Sequence, residues 1–205
     1  MERRDFIHKA GLLAAFGTMM TQDALALTAG PKAEKGVEPR LFPALPALDH
    51  KGGMDIRVWV RSEMTAGVYS NVECAVAPKT MGPPPHWHHE LDELMYVVEG
   101  TANILIGDDV VEVAAGGWHL RPRGIKHTFW NASDQALRFY DMYFHQAFEL
   151  YLEKIFHEYT NENGYTDGSE KKNQAIDELN KKYGLVFPAD SFSQRDSIVK
   201  QYGLR

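Results

Sequence analysis

A mainly β fold, a sandwich or barrel followed by helices, is what this sequence predicts. From Met54 onward apolar residues alternate with polar ones, as Ile56 and Val58 do around Arg57, and a period of two is typical of strands with one buried face. The short runs are separated by turn sequences such as Gly107-Asp108, which favours an antiparallel sandwich or barrel. A helical period appears only after residue 145, so we expect the helices to form a C-terminal extension.

The N-terminus has the pattern of an export signal. Arg3-Arg4 precedes an apolar run from Ala10 to Met20, and Ala24-Leu-Ala26 follows with small residues at the positions typical of signal cleavage. The paired arginines followed by Phe-Ile resemble a bacterial twin-arginine signal. We therefore predict a signal peptide over residues 1–26, cleaved near Ala26, and a periplasmic or otherwise exported protein. The apolar run is too short to be a stable membrane anchor.

The segments that follow divide into an arm and a barrel. Residues 27–53 are rich in Pro, Gly and Ala, which indicates a linker or an N-terminal arm. Residues 54–145 carry the alternating pattern and are predicted to form the barrel. Its strands are expected near 56–60, 68–76, 94–98, 102–106, 110–113, 118–120, 128–130 and 137–144.

The last segment, residues 146–205, is predicted to be helical. Apolar residues recur every three or four positions from Phe148 to Tyr159, which predicts an amphipathic helix. A second helix is expected around Ala175 to Tyr183, and Gly184 is placed to end it.

Composition narrows the classes of function. The chain has 205 residues and a net charge of −6, so a single domain is expected and no basic surface suggests a nucleic-acid partner. Cys74 is the single cysteine, so no disulfide can form within the chain.

Four residues have the chemistry and spacing of a metal site. His86 and His88 are two apart, so on a strand their side chains share a face, and Glu93 and His127 follow in the sequence. Neutral imidazole and carboxylate are ligands that suit a divalent transition metal ion. His89 is an alternative to His88, although it would break the strand parity with His86.

These residues fall in two motifs that resemble those of the cupin family. The first motif contains His86, His88, Glu93 and Gly100, and the second contains Gly116, Pro122, Gly124, His127 and Asn131. The second matches the family pattern throughout; the first departs only upstream, where three residues rather than the usual five separate Gly82 from His86. The resemblance covers about residues 54–145. It implies a single cupin barrel, a double-stranded β-helix or jelly roll, in which His86, His88, Glu93 and His127 hold the ion and leave coordination positions open.

The family resemblance also suggests an activity. A single cupin followed by two helices and the Tyr183–Phe187 segment is similar to the quercetin-dioxygenase-like cupins. This implies a metal-dependent dioxygenase acting on a small enolisable or aromatic compound, with Glu93 as both ligand and transient base. The alternatives are an oxygen-independent isomerase or lyase and a binding protein without turnover. Iron, manganese, nickel, cobalt, copper and zinc all accept these ligands, so the metal stays open. The expected partners are a small molecule, dioxygen and a second copy of the chain.

Several residues near the motifs are candidates for the surroundings of the site. Arg121, Arg123 and Lys126 either attract an anion or lie on the surface, and His119 and His145 are not assigned to the site. The inward-facing members of an apolar set would form a pocket for a flat substrate, and that set is Trp87, Trp118, Phe129, Trp130, Tyr140, Met142 and Phe144.

Overall fold

The computed structural model describes residues 37–205. The predicted signal peptide, residues 1–26, and the start of the predicted arm lie outside the described residues. Residues 37–53 have no regular secondary structure, and most of them are exposed. Between residues 37 and 205, no helix has the length and apolar character required to cross a bilayer.

The predicted mainly β barrel with a helical extension is confirmed. Eleven strands are described, and all of their pairings are antiparallel. They are β1 (Met54–Val60), β2 (Tyr69–Val76), β3 (Thr80–Met81), β4 (Trp87–His88), β5 (Asp92–Glu99), β6 (Thr101–Ile106), β7 (Asp109–Ala114), β8 (Trp118–Arg121), β9 (His127–Asn131), β10 (Leu137–Phe144) and β11 (Leu185–Val186).

Two sheets form the barrel. One has the order β1-β2-β10-β5-β8, the other has the order β3-β9-β6-β7, and β4 pairs with β11 in a separate two-stranded ladder. Alternate residues of each strand point into the space between the two sheets, and most of these residues are apolar. The strand β10, for example, buries Leu137, Phe139, Asp141 and Tyr143 and leaves the residues between them partly exposed.

The extension contains three helical segments. The first, α1, runs from Glu149 to Glu153 and continues as one π-helical turn over Lys154–Glu158. The second, α2 (Glu170–Tyr183), ends at Gly184 as predicted, with Gly184 in the left-handed conformation (φ 60°). The third, α3 (Ser191–Tyr202), was not predicted from the sequence. It packs on the outside of the four-stranded sheet, where Tyr202 lies 5.0 Å from the Trp130 ring.

Two contacts attach α1 to the barrel. Arg61 donates two hydrogen bonds to the Glu153 carboxylate, at 2.8 and 2.7 Å, and the backbone N–H of Ser62 donates to Glu149 at 2.8 Å. A bidentate arginine–carboxylate pair fixes orientation as well as distance. The first helical segment is therefore held against the barrel at a defined angle.

Asn131, the last residue of the second motif, has a structural role. Its side chain is fully buried, and its amide donates to the backbone oxygens of Ala77 (3.0 Å) and Gln135 (2.7 Å). Its Oδ1 accepts from the backbone N–H of Ser133 at 3.1 Å. One side chain thus joins the loop after β2 to the loop after β9.

Replacing Asn131 with Ala should lower the free energy of unfolding by about 2–3 kcal/mol, because several buried backbone groups would lose their partner. Urea denaturation measures the change. Gln135→Ala, which shortens an exposed side chain of the same loop, is the control and should change the stability much less. A loss below about 0.5 kcal/mol in Asn131→Ala, within the range of ordinary surface substitutions, would contradict this role.

Candidate metal centre

Three different parts of the barrel supply the four predicted ligands. His86 and His127 lie opposite each other in an isolated antiparallel bridge, in which the two residues exchange backbone hydrogen bonds of 3.0 and 2.7 Å. His88 lies on β4, and Glu93 is the second residue of β5. All four are buried, and one ligand atom from each lies within 4.8 Å of the others.

The structure distinguishes His88 from its alternative, His89. The His88 side chain is fully buried, and its Nε2 lies 3.1 Å from Oε1 of Glu93. The His89 side chain is exposed and packs against the Trp87 ring at 4.6 Å. The parity argument therefore selected the histidine that faces Glu93.

Backbone carbonyls determine the tautomers of two of the rings. Nδ1 of His86 lies 2.8 Å from the Pro84 oxygen, and Nδ1 of His127 lies 2.9 Å from the Ile125 oxygen. A carbonyl only accepts, so Nδ1 must be the donor in each ring, and in a neutral ring Nε2 then carries a lone pair. Burial, together with the neighbouring His127 and His88, lowers the pKa of His86 well below its usual value, which keeps that ring neutral.

The resulting set of unpaired nitrogens fits a cation. Nε2 of His88 and Nε2 of His127 are buried and make no hydrogen bond within the described part of the chain. Nε2 of His127 lies 3.3 Å from Oε2 of Glu93, but a lone pair cannot donate to a carboxylate. The lone pair of His127 and the Glu93 oxygen are thus buried acceptors that face each other without a donor between them, which is costly, and a divalent ion bound there would satisfy both.

Glu93 is held in its ionised form. Burial is the largest single influence and opposes ionisation, but the guanidinium of Arg121 together with the neighbouring His127 and His88 outweighs it and holds the pKa of Glu93 well below its usual range. Arg121 is 1% exposed, and its Nη2 lies 3.2 Å from Oε2 of Glu93. The same guanidinium pairs with Asp141 on β10. Asp141 in turn accepts a hydrogen bond of 3.3 Å from the Tyr143 hydroxyl.

A cavity of about 250 Å³ opens beside these residues, between the barrel and the extension. Its polar end contains His86, Glu93, Arg121, Asp141 and Tyr143. Its other walls are apolar. The barrel contributes Met54, Ile56, Cys74, Phe129 and Phe139, and the extension contributes Phe148, Tyr151, Leu152, Ile155, Phe156, Leu185 and Phe187.

The sequence identified only some of the residues that line this cavity. Of the apolar set proposed for the pocket, Phe129 alone lines the cavity. Trp118 is 55% exposed on the outer face of the barrel, and Trp130 is buried in a separate cluster beside α3. The residues of β10 that line the cavity alternate with the three that were proposed from that strand, Tyr140, Met142 and Phe144. The proposed residues therefore lie on the opposite face of β10.

The three basic residues near the second motif have different positions. Arg121 is buried at the site, whereas Arg123 is exposed and pairs with Asp92 at 2.6 Å. Lys126 is partly exposed and does not line the cavity. His119 and His145 are absent from the four-residue cluster.

Comparison with known protein families matches residues 72–143 to the Cupin domain. Similar solved structures include KdgF from Halomonas sp. (16% identity, 50% of this chain and 88% of that chain, TM-score 0.44). They also include the polyketide cyclase RemF from Streptomyces resistomycificus (27% identity, 45% of this chain and 66% of that chain, TM-score 0.41). A third is a predicted oxalate decarboxylase from Thermotoga maritima (16% identity, 44% of this chain and 79% of that chain, TM-score 0.42). No curated protein matches the chain.

Proposed function

We propose that this protein is a metal-dependent dioxygenase, similar to the quercetin-dioxygenase-like cupins, that acts on a small enolisable or aromatic compound. One observation carries the proposal: His86 and Glu93, two members of the buried four-residue cluster, also line an apolar cavity. A ligand in that cavity would therefore lie beside the ion. A metal ion with open coordination positions supplies Lewis-acid activation of oxygen-bearing groups and, for a redox-active metal, chemistry with dioxygen.

The dimensions and walls of the cavity support a small, flat ligand. A volume of about 250 Å³ is equivalent to roughly eight water molecules at about 30 Å³ each, which suits a small aromatic compound. Aromatic walls such as Phe129 and Phe148 exclude water and offer faces for stacking. The polar groups are confined to one end, which orients the ligand with its oxygen atoms toward the cluster.

Glu93 has two proposed roles, as a ligand and as a transient base. The low pKa of Glu93 keeps it ionised, the form that both roles require, although it also makes the carboxylate a weaker base. In oxygen-dependent ring or carbon–carbon cleavage, both atoms of one dioxygen molecule enter the products and the substrate supplies all four electrons, so the reaction needs no further reductant.

Asp141 favours a second candidate function, an oxygen-independent isomerase or lyase. Burial raises the pKa of Asp141, against the opposing effect of Arg121, and the carboxyl lines the same cavity as Glu93. A carboxyl with a raised pKa is suited to moving a proton within a substrate. Such a reaction would use the same ion as a Lewis acid only.

Oxygen uptake tests the leading proposal. Protein loaded separately with iron, manganese, nickel, cobalt or copper should consume one dioxygen per flavonol-like or other enolisable aromatic substrate with at least one of these metals. His86→Ala/His127→Ala protein, treated in the same way, is the control and should consume none. Product formation from sugars or keto acids without oxygen would support the isomerase instead, and saturable binding without turnover would indicate a binding protein.

Export of the protein is a further proposal. It is supported by the charged, apolar and small-residue regions of residues 1–26. A fusion of residues 1–30 to a folded reporter should reach the periplasm, and Arg3→Lys/Arg4→Lys should block it if the route is the twin-arginine one. Retention of the unaltered fusion in the cytoplasm would contradict export.

A homodimer is also proposed. Trp118 and Leu120, on the edge strand β8, are more than half exposed, and exposed apolar side chains on one face favour association. Sedimentation should show a species of twice the chain mass, and Trp118→Ser/Leu120→Ser should shift it toward the monomer.

A further inference from the structure

Arg121 is a buried charge with two acidic partners, one of which is a proposed metal ligand. One nitrogen of its guanidinium, Nη2, contacts both Asp141 and Glu93. Removing a guanidinium from water costs several kcal/mol unless its hydrogen bonds are replaced. Here Nη2 donates a hydrogen bond to Asp141 and lies at ion-pair distance from Glu93, whereas Nε of Arg121 has no partner among the described residues.

The two oxygens of Glu93 have different neighbours. Oε2 lies 3.2 Å from Nη2 of Arg121 and 3.3 Å from Nε2 of His127. Oε1 lies 3.1 Å from Nε2 of His88. Arg121 and His127 therefore share Oε2, and Oε1 faces His88 alone.

Asp141 and Tyr143 hold Arg121 in this position. Asp141, on β10, pairs with Arg121, on β8. The Tyr143 hydroxyl donates to the second oxygen of Asp141 at 3.3 Å. All of these groups are at least 95% buried. The contacts thus form a continuous series from Tyr143 through Asp141 and Arg121 to Glu93.

We propose that Arg121 is a positioning residue that makes Glu93 a one-oxygen ligand. The guanidinium retains Oε2, so that Oε1 is the atom offered to the ion, and the position that a second carboxylate oxygen would occupy stays open for the small molecule. This inference rests on the proposed function, because it requires an ion at the four-residue cluster. It assigns Arg121 no contact with the substrate.

The double variant Arg121→Met/Asp141→Asn tests this role. It removes the guanidinium and neutralises Asp141 at the same time, so no buried charge from that pair is left alone. Loss of a partner that orients a metal ligand typically weakens metal binding about 10- to 100-fold. We expect that loss for Co²⁺, together with a changed visible absorption spectrum, because Glu93 would become free to bind through both oxygens.

Arg138→Met/Glu73→Gln is the matched control. Arg138 and the buried Glu73 form another arginine–carboxylate pair of the same sheet, at 3.1 Å, and neither residue is a predicted ligand or lines the cavity. Its Co²⁺ affinity and spectrum should equal those of the wild type. Equal affinity and an unchanged spectrum in the folded Arg121→Met/Asp141→Asn protein would overturn the proposal.

A second measurement does not depend on the folding of a variant. A crystal structure of the wild-type protein loaded with Co²⁺ should show one Glu93 oxygen on the ion and the other on Arg121. Two Glu93 oxygens on the ion would overturn the inference about Arg121 and leave the proposed function intact. Wild-type protein that binds no Co²⁺ at these four residues would instead remove the basis of the proposed function itself.

Discussion

A chelator should lower the midpoint of thermal unfolding of the metal-loaded wild-type protein by about 5–10 °C. A ligand that binds only the folded state, at a hundredfold excess over its dissociation constant, stabilises that state by about 2.7 kcal/mol. For a protein of this size, each kcal/mol shifts the midpoint by about 2–4 °C. Calorimetry with and without chelator measures the shift.

The control is His86→Ala/His127→Ala, in which chelator should change the midpoint by less than about 1 °C. Comparing each protein with itself removes the direct cost of the substitutions. A chelator effect of the same size in both proteins would place the bound ion at another site.

The stability of the metal-loaded protein should also fall with acidity. The pKa of His86 is lowered in the folded protein, so below about pH 6.5, the usual value for histidine, the unfolded chain binds a proton that the folded chain does not. Stability is therefore lost as the pH falls through that value. Metal binding is lost in the same direction, because protonated imidazoles cannot act as ligands.

Replacing Glu93 with Gln should separate catalysis from metal binding. Glutamine keeps the size of the side chain and one oxygen donor but removes the charge and the basic group. Turnover should fall by about a hundredfold or more, the usual contribution of a general base, whereas the metal content should fall far less. Steady-state kinetics and metal analysis of the same preparation give both values.

His127→Ala provides the comparison, because it removes a ligand and should reduce turnover and metal content together. If Glu93→Gln protein retained wild-type turnover at full metal occupancy, Glu93 would have no role as a base. If instead its turnover and metal content fell by the same factor, Glu93 would be a ligand only.

The sequence was sufficient to predict the barrel and the convergence of the four ligands, because both depend on local patterns. Strand parity brings His86 and His88 to one face, and the spacing within each motif places Glu93 and His127 at the start of strands. Gly100 shows why such spacing is restrictive. Its φ is +78°, and a Cβ there would lie 2.5 Å from the Ala136 oxygen, so glycine is needed at this turn between β5 and β6.

The cavity could not be predicted in the same way, because it depends on contacts between distant segments. On β10 both faces are largely apolar, and the inward face also carries the charged Asp141. Alternation therefore does not show which face of that strand points inward. In the sequence, Arg121 cannot be distinguished from the two other basic residues near the second motif. Only the structure shows that it is paired with Glu93 and Asp141.

The short strands and α3 were missed for a related reason. The strands β3, β4 and β11 have two residues each, too few to show a period. In α3 most residues are polar, and Ile198 is its one apolar residue that is fully buried. It is held through tertiary contacts, including a hydrogen bond of 2.6 Å from the Ser191 hydroxyl to the Pro85 oxygen.

The pairing of β4 with β11 has a consequence for the order in which this protein folds during its synthesis. His88 is paired with Leu185, almost one hundred residues further along the chain, and the backbone N–H of the last residue, Arg205, donates to Lys79. Contacts between such distant residues form late, because the intervening chain must first be made and its loop closed. The strand that carries His88 can acquire its partner only after residue 185 has been synthesised. An ion that needs His88 held in this ladder would therefore be bound late in the folding of the chain.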